Sequence, residues 1–164
     1  MLRAVRSPSR PSPRPPCRGP ASHGQDRRVT HDIAYALEEG LGASDFAGLL
    51  ESSGLAERRP AGDLARLDTM LRQADLVMTA RRSGRLVGLA RTITDYAYCA
   101  YLSDLCVARE EQGSGVGRNL VARTKDRLGD GVTLHLIAAP GLADYYRGLG
   151  MTQLPDTFCY GRSR

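Results

Sequence analysis

Residues 102 to 122, Leu-Ser-Asp-Leu-Cys-Val-Ala-Arg-Glu-Glu-Gln-Gly-Ser-Gly-Val-Gly-Arg-Asn-Leu-Val-Ala, pass from an apolar run through three closely set glycines into a helical pattern. No other stretch restricts the fold as much. Gly113, Gly115 and Gly117 lack a Cβ, so the backbone can turn sharply and lie close against a ligand with successive N–H groups pointing the same way. Those amides are the orphan donors of the helix that follows, and its dipole adds positive potential there. The segment therefore predicts a strand that delivers a diphosphate cradle to a helix start. Two nucleotide motifs are excluded. A P-loop needs Lys and Ser or Thr after its last glycine, where this chain has Arg118 and Asn119. A dinucleotide fingerprint needs Gly-x-Gly-x-x-Gly, and the spacing here is Gly113-x-Gly115-x-Gly117.

The loop does fit Gln/Arg-x-x-Gly-x-Gly/Ala, as Gln112-Gly113-Ser114-Gly115-Val116-Gly117, between the strand Leu105-Cys106-Val107 and the helical Arg118-Asn119-Leu120-Val121. It resembles the acyl-CoA-binding motif of the GNAT superfamily of N-acetyltransferases. About thirty residues on, Asp144-Tyr145-Tyr146-Arg147-Gly148-Leu149-Gly150-Met151 resembles that family's Phe-Tyr-x-x-x-Gly-Phe segment. Met151 stands where phenylalanine is usual. The asparagine often found shortly before the Phe-Tyr pair is missing from Ala138-Ala139-Pro140-Gly141.

Charge divides the chain in two. Residues 1–28 hold seven arginines, one acid and six of the nine prolines, while residues 29–164 hold 16 basic and 17 acidic residues. The first part has almost nothing to bury and is expected to be a disordered Arg/Pro/Ser-rich extension. Val29 begins the first patterned segment, and translation from that codon is an expectation that N-terminal sequencing would test. With the second part nearly neutral, nucleic acid is not expected as a partner. Cys17, Cys99, Cys106 and Cys159 lack metal-type spacing, so no metal is expected. Cys99, Cys106 and Cys159 read as small buried hydrophobes in a reducing compartment. No apolar run reaches the ~20 residues of a spanning helix, and a cytoplasmic location is expected.

Along 29–164 the pattern predicts one α/β domain: a mixed, mostly antiparallel sheet flanked by helices. Val29–Tyr35 reads as a short strand. Ser44 is a plausible N-cap for a helix carrying Phe46, Leu49 and Leu50, and Asp63 for a second helix with Leu64, Leu67, Leu71 and Ala74 on one face. Leu76–Ala80 and Leu86–Ile93 form a hairpin across Arg82-Ser83-Gly84-Arg85, with Gly88 marking a bulge or a close approach. Ala97–Val107 is the central strand. A helix over 117–128 places Val116, Leu120, Val121, Thr124 and Leu128 on its core stripe. Val132–Ala138 reads as a buried strand, a short helix follows to Tyr146, and Phe158-Cys159-Tyr160 closes the sheet.

The resemblance implies that acetyl-CoA lies as co-substrate in a splay between the strands Ala97–Val107 and Val132–Ala138. The amides from Gly113 through Arg118 would hold its pyrophosphate, with Leu105, Cys106, Val107 and Gln112 alongside. The backbone of Leu105 and Val107 would pair with pantetheine, and an amide near Val107 would meet the thioester oxygen as it gains charge. Tyr146 matches the tyrosine that protonates the departing thiolate, and reads otherwise as core packing. A neutral amine held at pH 7 against a pKa of about 10.4 costs about 4.6 kcal/mol, so a base would help. Asp104 is the candidate; its alternative is a strand-end acid that caps or is solvated. His135, flanked by Leu134 and Leu136, reads as a packed core histidine before a catalytic one. Tyr96, Tyr98 and Tyr101 are open between an aromatic acceptor pocket and ordinary strand packing. The implied activity is transfer of an acetyl group from acetyl-CoA to a primary amine of a small molecule, by direct attack in a ternary complex. The alternative is a regulatory module that binds acyl-CoA without turnover. Family members are often homodimers.

Overall fold

The computed structural model describes residues 33–161, so the readings for 1–28 and for the start of the first strand lie outside the described residues. Five strands form one sheet in sequence order: β1 (Ile33–Leu37), β2 (Leu76–Arg82), β3 (Arg85–Thr94), β4 (Cys99–Val107) and β5 (Thr133–His135). The first four pair antiparallel, and β5 joins β4 in parallel. The mixed, mostly antiparallel architecture is as expected.

α1 (Ala43–Ser53) and α2 (Leu64–Arg72) lie between β1 and β2, α3 (Val116–Leu128) between β4 and β5, and α4 (Ala143–Gly148) after β5. Strand β3 is buried at every position from Val87 to Thr92, as befits a central strand covered on both faces. Gly88 and its partner Val107 turn one face toward α3, while Cys106 and Asp104 turn the other toward the α1–α2 segment. Leu50, Phe46, Leu67, Leu89 and Leu120 are fully buried, each worth about 1.5–3 kcal/mol of transfer free energy.

Local chemistry explains the element ends. Asp63 caps α2 by accepting from the Arg66 N–H at 2.9 Å. Ser44 does not cap α1. That helix starts two residues earlier on an extended Gly42, with Leu41 and Phe46 both buried in the staple positions. Gly88 fulfils both expectations: Ala80 pairs with it just before a register shift, and a Cβ there would meet Leu120 Cδ1 and Val116 Cγ1 at 3.0 Å. The five positions of the α3 stripe are all buried.

Four expectations need correction. β5 has three residues instead of seven, because from Leu136 the chain leaves β4 and a strand without a neighbour has no ladder. Phe158 and Tyr160 are 91% and 104% exposed and form no strand, so they do not close the sheet. His135 is exposed rather than packed in the core. Cys106 is buried, but Cys99 and Cys159 are exposed.

Candidate functional site

The early departure of β5 opens the molecule. Pairing of β4 with β5 stops at Tyr101 and His135, so β4 from Leu102 to Val107 has a strand neighbour on one side only. The Ala108 N–H donates to Val87 O at 2.9 Å, which places that pair in the ladder. By antiparallel alternation Cys106 faces β3 through its backbone, whereas Val107 and Leu105 turn their N–H and C=O to the open side. Those are the two positions expected to pair with an extended ligand.

A cleft of about 550 Å³ occupies this side. One wall is β4 at Leu105, Cys106 and Val107; another is the segment from Ser53 through Arg58; a third is Ala139, Leu142, Tyr145 and Tyr146. The glycine loop closes one end. Gly113 and Gly115 have φ of +78° and +92°, left-handed values that suit glycine. Gly115 is the N-cap of α3 and brings no capping side chain. The first helical bond runs from Asn119 N–H to Gly115 O, which leaves Val116, Gly117 and Arg118 N–H without a partner inside the helix. An anion lying on this loop would find those donors and the helix dipole together.

The expected loop residues divide by what their side chains do. Gly113, Gly115, Gly117 and Arg118 line the cleft. The Ser114 hydroxyl donates back to Glu111 O at 2.5 Å, and the Val116 side chain is buried toward Gly88, so either would meet a ligand through backbone alone. Gln112 is a brace: its Nε2 donates to Val107 O at 2.9 Å and to Ser53 O at 3.3 Å, tying the end of β4 to the end of α1. That bond occupies the Val107 carbonyl and leaves its N–H facing the cleft. Arg118 also reaches Gly148 O, linking α3 to α4.

Tyr146 lines the cleft, half-buried, with the Tyr145 ring edge-on at 5.1 Å. Burial, reinforced by Tyr145, holds its hydroxyl above the ordinary tyrosine range, so it keeps its proton at neutral pH. Sequence reasoning missed Tyr145. Its hydroxyl sits where a Cβ on Gly117 would be, 2.6 Å away, so Gly117 lets α4 close on the loop. The Tyr-Tyr pair was the available signal. Burial pushes the Cys106 thiol up, out of the range where it ionises near neutrality, and the Asp104 charge adds to this.

Asp104 does not line the cleft. Its carboxylate is fully buried: Arg59 Nε donates to Oδ1, and Arg91 Nε donates to Oδ2 at 2.5 Å. Arg59 also donates to Ser103 O, and Arg91 to Ser103 Oγ and Met70 O. Asp104 thus pins the α1–α2 segment to β4, and both its oxygens are engaged. Tyr96, Tyr98 and Tyr101 lie outside the cleft, with the Tyr96 hydroxyl donating to Asp75 O. No group of three or more His, Cys, Asp or Glu side chains suited to a metal ion occurs among the described residues. No helix among them is long and apolar enough to cross a membrane.

The family model described as the acetyltransferase (GNAT) domain matches residues 60–160, more than half of the chain. The chain belongs to the GNAT family. Chloroplastic GCN5-related N-acetyltransferase 2 of Arabidopsis thaliana is 26% identical over 135 residues, 81% of this chain. The match spans about half, 47%, of that relative's length. Among solved structures, a GNAT-family acetyltransferase of Streptococcus pneumoniae superposes with a TM-score of 0.64 at 20% identity, covering 81% of this chain and 99% of that one. An aminoglycoside acetyltransferase from an uncultured soil sample, solved with sisomicin, gives 0.58 at 20% identity, covering 80% and 97%. The GNAT fold is thus shared, and acetyl-CoA is the co-substrate typical of the family.

Proposed function

We propose that residues 29–164 form a domain that transfers an acetyl group from acetyl-CoA to the primary amine of a small molecule, by direct attack in a ternary complex. One observation carries this reading: the unpaired stretch of β4 turns the backbone of Leu105 and Val107 into a cleft that ends at the N-terminus of α3. An extended thioester with a diphosphate at one end has the shape and chemistry that this surface complements.

In this reading the amides from Gly113 through Arg118 hold the diphosphate, and Leu105 pairs with the pantetheine arm. The Val107 N–H, on the side of β4 that no strand pairs, meets the thioester oxygen as negative charge grows on it. Tyr146, kept protonated by burial, gives its proton to the departing thiolate. Cys106 lines the same cleft, but a thiol held protonated is a poor nucleophile, which supports direct attack over an acyl-cysteine intermediate.

Asp104, locked between two guanidiniums and outside the cleft, takes a positioning role here instead of that of general base. Glu111, the acid that does line the cleft, accepts from Arg82 with both oxygens at 2.6 and 2.8 Å. The acceptor's proton therefore passes to solvent at the open side. Three free cysteines among the described residues, two of them exposed, suit a reducing compartment such as the cytoplasm.

Release of free CoA thiol across a panel of amines, with mass spectrometry of the acceptors, tests the proposal. Amine-dependent release and acetylated product are expected. Saturable acetyl-CoA binding with no amine-dependent release would turn the domain into a binding module.

A further inference from the structure

The cleft has two chemically distinct ends. The glycine loop and Arg118 mark the diphosphate end. The other end runs back along β4 toward Ser103 and Asp104, where the turn Leu55–Arg58 forms the wall. That wall is fastened to the sheet. Arg59 bonds Asp104 and Ser103 O, and its Nη1 also donates to the Arg58 carbonyl at 2.9 Å, which fixes the backbone that carries the Arg58 side chain.

Arg58 lines the cleft, is exposed, and its guanidinium has no hydrogen-bond or ion-pair partner among the described residues. The charge balance around it is one-sided. Glu111 is neutralised by Arg82, while Glu51 and Glu57, on the same segment, are exposed and do not line the cleft. Arg109 does not line the cleft and stands beside the loop, its guanidinium 3.2 Å from where a Gly54 Cβ would be, so Arg58 is the cation on this wall. A guanidinium presents a planar fork that matches a carboxylate with two parallel hydrogen bonds, and partial removal from water strengthens that pair.

We infer that Arg58 recognises a carboxylate on the acceptor, so that the preferred substrate is an amine that also carries an acid group, such as an amino acid or a peptide with a nearby carboxylate. This rests on the acetyl-transfer reading and names its substrate class. A polycationic acceptor would bring further positive charge against Arg58 with no free carboxylate lining the cleft to receive it. The aminoglycoside substrate class of the soil-sample neighbour therefore does not carry over.

The test compares matched acceptors, an amino acid and its carboxamide, together with spermidine and sisomicin, on the wild type and on Arg58→Gln and Arg58→Glu. The wild type is expected to favour the carboxylate over the amide by about tenfold to a hundredfold in kcat/KM, as suits loss of a charge-assisted pair. Arg58→Gln should erase that ratio through KM and leave the amide unchanged, and Arg58→Glu should shift preference toward spermidine. Acetyl-CoA affinity by calorimetry should be the same in all three proteins, which separates acceptor recognition from misfolding. Equal losses on acid and amide, or a wild type fastest on spermidine or sisomicin, would overturn the inference while leaving acetyl transfer standing. Acetyl-CoA binding with no turnover of any acceptor would overturn both.

Discussion

Replacing Asp104 by Asn separates a structural acid from a catalytic one. The substitution keeps the shape and removes the charge that two guanidiniums share. Their side chains are only 6% (Arg91) and 23% (Arg59) exposed, so neither cation can recover its hydration without moving. Removing one partner of a buried ion set costs about 3–5 kcal/mol, because an uncompensated charge stays behind. For a domain of this size that corresponds to a fall in Tm of about 10 °C or more. The wall Leu55–Arg59 also loses its anchor on β4, so the acceptor KM should rise while acetyl-CoA affinity at the distant loop persists. Circular dichroism melts and thiol release measured well below the melt report both effects. Adding Arg91→Met should recover part of the lost Tm by removing the stranded cation. An Asn variant with unchanged Tm, much lower kcat and a lost acid limb in the pH profile would refute this and make Asp104 the base.

Two glycines should respond oppositely to an added methyl. Gly88→Ala would force a Cβ within 3.0 Å of Leu120 and Val116 and 3.3 Å of Ala80, all side chains of buried residues, and should cost about 1–3 kcal/mol in urea unfolding with acetyl-CoA affinity kept. Gly117→Ala meets the far end of the exposed Tyr145 side chain, so stability should change little, while calorimetry should show acetyl-CoA affinity weakened about tenfold or more by the displaced ring. Tyr146→Phe should lower kcat by about tenfold to a hundredfold without abolishing it, since a thiolate of pKa near 8.5 leaves fairly easily. Burial raises the Tyr146 pKa, so the alkaline fall in wild-type kcat should lie above pH ~10 and be absent from the Phe variant. Glu38 and Glu111 are held below the usual carboxylate range, chiefly by hydrogen bonds from Arg81 and Arg82. A lowered folded pKa stabilises above the unfolded value of about 4.3 and is lost as pH falls through the folded value, so Tm should decline below pH ~4.3.

What could be read from the chain was what local spacing encodes. The α3 stripe follows from helical period, the Asp63 cap from a short polar side chain before an apolar run, and the loop from glycines that supply positive φ and uncovered amides. Gly88 was legible because a glycine inside a strand has few other uses. The missed features depend on residues distant in sequence. Arg59 reaches Asp104 across 45 positions, and nothing near Ser103-Asp104-Leu105 announces two guanidiniums. The length of β5 depends on how far β4 accompanies it, which apolar character in Val132–Ala138 does not encode. Ser44 has the chemistry of a cap, but burial of Leu41 and Phe46 sets the start of α1 two residues earlier. Of the tyrosine pair, only Tyr146 drew attention, since the contact that gives Tyr145 its place is with Gly117 on another element.

Backbone amides form the proposed thioester site, and amide chemical shifts report on them directly. Titration of the labelled protein with acetyl-CoA should shift the N–H resonances of Leu105, Val107 and the run from Gly113 to Arg118, and leave β1 and β2 in place. Saturation with those resonances unmoved, or shifts confined to another face of the sheet, would contradict the claim that the open edge of β4 and the start of α3 together hold the thioester.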